Sequence, residues 1–180
     1  MDQFGCAIAP GRGYRYLDPK DRDILLPFGH GISYTSFGMA LSSPATLNLD
    51  TASATTTSST LNISVVVTNT GTVFAGTETV MAYLRPLNRT NPGGDKLLPL
   101  QRRLCGFVKL GPIVPGGSAT GEILLRASEL AMADATGSLA WLPGKYAVIL
   151  STGNIAQPEI TLMLEITGNR RVIFTLPSGI

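Results

Sequence analysis

The sequence predicts an all-β fold, an antiparallel β-sandwich preceded by an irregular N-terminal linker. Three observations carry this. From about Phe37 onward apolar residues recur with a period of two, the mark of strands that bury one face. About seven short runs of this kind are separated by Gly, Pro, Asn and Asp turn signals. No convincing long helix interrupts them.

Residues 1–36 show no sustained periodicity and carry Pro10-Gly11, Asp18-Pro19 and Pro27, so they read as a turn-rich connector. The segment has too little apolar surface to offset its own ordering entropy, and needs a surface to lie against. Phe37, Met39 and Leu41 begin the alternation, and a Ser/Thr/Ala-rich loop follows from Asp50 to Thr60. Leu61, Ile63, Val65 and Val67 form a strand that Asn69-Thr70-Gly71 ends. Thr77–Leu84 reads as the next strand, followed by a long polar loop over Arg85–Leu100. Leu104–Leu110 is a strand stopped by Gly111-Pro112, and Ile123 and Leu125 mark another. Leu130–Ala140 is less regular and has room for a helical turn before Asp134. Tyr146, Val148 and Leu150 alternate, as do Ile160, Leu162, Leu164 and Ile166, and Val172–Phe174 adds an edge strand. In Leu142-Pro143-Gly144-Lys145-Tyr146 a Tyr stands just past a turn at a strand start, as a tyrosine corner would place it.

At 180 residues, 44% hydrophobic and 14% charged, the chain has enough apolar material for one ordinary core. A net charge of +2 gives no basic face for nucleic acid, and the pairs Arg102-Arg103 and Arg170-Arg171 read as solvated surface. No apolar run approaches the length of a membrane span. Met1-Asp2-Gln3 lacks the basic head of a signal peptide, although Asn62-Ile63-Ser64 and Asn88-Arg89-Thr90 are N-glycosylation sequons, relevant only to a secretory route. Cys6 and Cys105 form either one bridge or two unpaired small hydrophobes, and the apolar surroundings of Cys105 favour the second.

Catalytic constellations are poorly represented. The sole histidine, His30, lies between two glycines, and no nucleophile stands in a G-x-S-x-G elbow, so packing suits His30 better than catalysis. One His and two distant Cys give no zinc spacing, and Asp18, Asp21 and Asp23 do not match a calcium loop. No nucleotide-binding glycine motif occurs, and no metal or cofactor is expected. Glu78, Glu122, Glu159 and Glu165 fall on polar strand phases, where solvated carboxylates stay ordinary acids, while Asp134 reads as a turn cap.

Several ordered motifs carry a family likeness. Pro10-Gly11-Arg12-Gly13-Tyr14-Arg15-Tyr16 is similar to P-G-R-T-Y-R-F/Y, and Pro27 to Phe37 to P-F-G-H/Y-G-L-S-Y-T-x-F. Val65 to Gly71 with Gly76-Thr77-Glu78 is similar to V-x-V-x-N-T-G…G-x-E. Leu104 to Leu110 matches L-x-G-F-x-K/R-V/L, and Asp134 to Tyr146 matches D-x-x-G…P-G-x-Y. In this order they resemble the C-terminal part of glycoside hydrolase family 3 enzymes, of the β-xylosidase or β-glucosidase type. Gly13 departs from the usual Thr. The resemblance implies an immunoglobulin-like, fibronectin type III-like sandwich over 37–176, behind a tail of the preceding α/β domain over 1–36.

The same resemblance places the family's nucleophile and acid/base in domains upstream of residue 1, so it assigns no catalytic residue here. It implies an accessory domain of a secreted enzyme that removes terminal β-D-xylosyl or β-D-glucosyl residues, inactive when alone. Its partner would be the catalytic domains of that enzyme, docked through Arg12, Tyr14, Arg15, Tyr16, Phe28, His30 and Tyr34. Carbohydrate is a further candidate partner, and Asn62 and Asn88 are candidate glycosylation sites. A stand-alone carbohydrate-binding or adhesion-type sandwich is the alternative.

Overall fold

A computed structural model describes residues 13–16, 24–42, 46–55, 59–87, 100–133 and 138–175. The strands are β1 (Phe37–Leu41), β2 (Thr46–Asp50), β3 (Thr60–Asn69), β4 (Gly76–Pro86), β5 (Arg103–Ile113), β6 (Ser118–Arg126), β7 (Met132–Ala133), β8 (Leu139–Trp141), β9 (Gly144–Ser151), β10 (Ile160–Thr167) and β11 (Arg171–Phe174). They form a three-stranded sheet β1-β3-β6, a five-stranded sheet β2-β10-β9-β4-β5 and a small sheet β11-β8-β7. No helix among the described residues is long and apolar enough to cross a membrane.

The alternation seen in the sequence builds the core. Ile63, Val65 and Val67 of β3 and Ile123 and Leu125 of β6 point inward. Opposite them lie Val80, Ala82 and Leu84 of β4, Val148 and Leu150 of β9, and Leu162, Leu164 and Ile166 of β10, all in one buried cluster. Trp141 closes it, fully buried, with Nε1–H donated to the Ala127 carbonyl at 2.7 Å. The Tyr146 hydroxyl donates to the Leu142 carbonyl at 2.6 Å, the geometry of a tyrosine corner.

Several elements differ from the sequence reading. Short strands β2, β7 and β8 are additional, and β2 joins β10 in parallel, so the sandwich is antiparallel except at that edge. The expected helical turn is a 3-10 turn over Ala127–Leu130, just ahead of the predicted place. The run Gly111-Pro112 does not stop β5. Gly111 takes φ +134°, where a Cβ would lie 2.8 Å from the Gly76 carbonyl oxygen, and pairing continues beyond it to Gly76↔Ile113.

β4 and β9 are buried on both faces. Besides the core-facing residues, Met81, Tyr83, Ala147 and Ile149 are buried on the outer face as a separate cluster, with Tyr14 and Leu104 packed against it. Part of the cover comes from ahead of β1, where Tyr14 packs on this cluster and Gly29 lies against Met81 and Tyr83.

Candidate functional site

The outer face of β9-β4-β5 and the strap crossing it, residues 24–36, bring together most of the predicted docking residues. The turn Gly13–Tyr16 closes with Tyr16 N–H donated to the Gly13 carbonyl at 3.1 Å. It lies along the edge strand β5. The Arg15 carbonyl accepts from the Gln101 N–H at 2.7 Å, and the Tyr14 hydroxyl from the Leu104 N–H at 3.3 Å. These bonds satisfy edge amides that would otherwise be open.

Above the sheet, the Tyr14 and Phe28 rings stack with centroids 4.0 Å apart, each edge-on to Tyr83 at 6.2 and 6.5 Å. The strap backbone approaches so closely that Gly153, at φ +77°, could not carry a Cβ. That atom would lie 2.8 Å from the His30 nitrogen and nearer still to Gly29. The His30 N–H donates to the Pro27 carbonyl at 3.0 Å, and its Nδ1 is buried without a hydrogen-bond partner among the described residues.

Arg102 is the polar centre of this face. Its guanidinium lies 5.0 Å from the Tyr83 ring centroid and grips both Glu159 oxygens, at 3.0 and 3.4 Å. Burial pushes the Tyr83 hydroxyl up to about 12, with Arg102 opposing the shift. Arg102, Glu159, Arg85, Asn154, Gln157 and Phe28 are among the residues lining a recess of about 700 Å³ between strap and β9–β10 turn.

This corrects the reading of Arg102-Arg103 as solvated, whereas Arg170 and Arg171 are exposed as that reading has them. Arg102 is only 9% exposed. Arg103 is bonded to the Glu129 carbonyl, and burial lowers its pKa. Arg171 lies over the Trp141 ring and donates to the carbonyls of Thr51 and Ala54 at 2.9 and 2.8 Å. Their aliphatic stems cover apolar surface while the heads find acceptors. Among the carboxylates read as solvated, Glu159 is ion-paired and Glu78 is half-buried, with its pKa raised by desolvation against the bond from the Thr79 N–H. Cys105 is unbridged and buried, donates to the Ala82 carbonyl at 3.3 Å, and is pushed up to about 12 by burial. Arg12, Cys6, Asn88 and Asp134 lie outside the described residues.

A second organising residue was not singled out from the sequence. Asn69 is fully buried at the end of β3. Its Nδ2 donates to the Phe74 and Ile113 carbonyls, each at 2.9 Å. Its Oδ1 accepts from the Thr35 hydroxyl at 2.6 Å and the Gly71 N–H at 3.0 Å. Its backbone bonds Gly116 and Gly117. One side chain thus joins the strap, the β3–β4 turn and the end of β5. The signal was the Asn-Thr-Gly turn, which marks the place without revealing partners over 30 residues away. Tyr34, beside Thr35, is 92% exposed and meets Phe74 edge-on at 6.3 Å.

Comparison with known proteins places the chain. It is 36% identical over 146 residues to the xylan 1,4-beta-xylosidase of Xylanibacter ruminicola, a match covering 81% of this chain and 14% of that protein. The chain belongs to glycoside hydrolase family 3. The beta-glucosidase of Kluyveromyces marxianus is 35% identical over 136 residues, covering 76% of this family 3 chain and 14% of the relative. A probable exo-1,4-beta-xylosidase of Aspergillus fumigatus is 29% identical over 184 residues, covering 93% and 21%. Among solved structures, a GH3 exo-beta-xylosidase in complex with a xylobiose aziridine probe superposes with TM-score 0.68 at 22% identity, over 84% of this chain and 20% of that one. The Kluyveromyces marxianus beta-glucosidase in complex with glucose gives 0.66 at 26% identity, over 86% and 17%. No family model matches. The chain therefore spans about a seventh to a fifth of the length of these relatives.

Proposed function

We propose that this chain is the fibronectin type III-like accessory sandwich of a longer, secreted family 3 glycosidase. The whole enzyme would remove terminal β-D-xylosyl residues, or β-D-glucosyl residues, from plant-type polysaccharides and oligosaccharides. The sandwich stabilises the catalytic domains or shapes access to their site. One observation carries the reading: the chain is 36% identical to a named xylosidase while spanning 14% of its length.

The chemistry of the strap-covered face agrees. Retaining glycoside hydrolysis uses two carboxyl groups about 5–5.5 Å apart, one of them with a raised pKa. Glu159, at the recess, has both oxygens committed to Arg102. A stand-alone carbohydrate-binding sandwich has less support, because Trp141 is buried in the core and Tyr14 and Phe28 stack on their own sheet. Asn62 is exposed on β3 and suits a glycan acceptor in a secreted enzyme.

The test is direct. The purified chain incubated with 4-nitrophenyl β-D-xyloside and β-D-glucoside is expected to release no nitrophenol above the buffer rate. Robust turnover abolished by substituting one of its own carboxylates would overturn the reading.

A further inference from the structure

The sandwich end gathered around Asn69 is exposed, apolar and uncharged. Ile32 is 95% exposed and Tyr34 92%, while Val73, Phe74 and Val114 also project into solvent. These come from three segments that Asn69 hydrogen-bonds into one place, through Thr35, Phe74 and Ile113. Segments 31–38, 69–77 and 110–118 contain no Asp, Glu, Lys or Arg, in a chain where charged residues make up 14%. Loops that face water ordinarily carry charge, and contiguous apolar surface on a well-ordered frame marks a contact surface. The frame is fixed by a buried amide, so the rings are presented rather than loosely hung.

We propose that this end, with Tyr34 and Phe74 at its centre, is the surface that docks onto the catalytic part of the longer family 3 polypeptide. The inference rests on the functional reading above and changes which residues do the docking. Tyr14 and Phe28 are engaged with Tyr83 of their own sheet, whereas Tyr34 and Phe74 meet edge-on with most of their surface in solvent. The occupant is a surface of matching chemistry, apolar and uncharged. It belongs to the bulk of the polypeptide that relatives possess and this chain does not span, since the chain covers 14% of one relative and 21% of another.

The experiment grafts the full chain into the Xylanibacter ruminicola xylosidase in place of its matching segment. Hydroxyl-radical footprinting then compares the graft with the chain alone. Tyr34 and Phe74 are expected to lose reactivity by roughly fivefold or more in the graft, as residues at the centre of an interface do. Phe107 and Phe174, exposed elsewhere on the sandwich, should stay unchanged. The double variant Tyr34→Ser, Phe74→Ser should lower the melting temperature of the graft and leave that of the chain alone unmoved.

A graft that hydrolyses xyloside with Tyr34 and Phe74 as reactive as in the chain alone overturns the docking surface and leaves the functional reading standing. Protection of both rings in the chain alone, rising with its concentration, assigns the surface to a second copy and also overturns the proposal. Protection by xylobiose, without the graft, assigns it to saccharide with the same result. A folded graft that protects the rings yet hydrolyses nothing instead contradicts the functional reading.

Discussion

Replacing Asn69 by alanine leaves the carbonyls of Phe74 and Ile113, the Gly71 amide and the Thr35 hydroxyl without their partner inside the fold. Orphaned buried groups cost far more than a mean hydrogen bond, so Asn69→Ala should lower stability by about 3 kcal/mol. A urea midpoint shift equivalent to under about 1 kcal/mol would contradict the role given to this amide. Titratable residues make their own prediction. Tyr83 and Tyr146 are raised from 10.0 to about 12 and Cys105 from 9.0 to about 12, chiefly by burial. A raised folded-state pKa contributes stability that is complete below the unfolded value and is lost as pH rises through the folded one. Stability should therefore fall between about pH 9 and about pH 12, and Tyr146→Phe should flatten that slope while losing about 1 kcal/mol at neutral pH with its bond to Leu142. Glu78 is raised as well, so its neutral form is favoured in the fold and its contribution fades as pH climbs from 4.5. Glu78→Gln should stabilise the protein near neutral pH and change little in acid, a contrast that denaturation at the two conditions measures.

At the scale of elements, the strap is held by shape as much as by bonds. A methyl group at Gly153 would collide with Gly29 and His30 and strain a backbone at φ +77°. Gly153→Ala should loosen the strap by about 1–3 kcal/mol. Amide exchange at His30 should accelerate while β3 and β10 stay protected, and unchanged exchange at His30 would refute the close packing. The long strands were legible because Ile63, Val65 and Val67 in β3 and Leu162, Leu164 and Ile166 in β10 alternate cleanly over a buried face. Strands β7 and β8, of two and three residues, lie below the length at which a period can be read. The covered outer face left a trace that the period-two reading passed over: Met81, Tyr83, Ala147 and Ile149 are apolar on the phase that should be polar. Continuous apolar strands bury both faces. Arg102 and Glu159 meet across 57 residues of sequence, and no local signal encodes that encounter.

At the scale of the molecule, an all-β sandwich carries a strap bound over one sheet and an uncharged, aromatic end, which under the proposed function sits against something larger. Its membership of family 3, with only 14–21% of its relatives' length, agrees with that. The arrangement separates two tasks. Tyr14, Phe28 and Arg102 lock the strap to the sheet, and the proposed docking falls to the exposed Tyr34 and Phe74. The measurement that bears most directly on this account compares turnover of 4-nitrophenyl β-D-xyloside by three proteins. They are the chain alone, the Xylanibacter ruminicola xylosidase deprived of its matching segment, and that enzyme carrying this chain in the segment's place. The account predicts no turnover by the first, impaired or unstable activity in the second, and recovered activity in the third. Turnover by the chain alone, or a deprived enzyme fully active and stable without any sandwich, would contradict it.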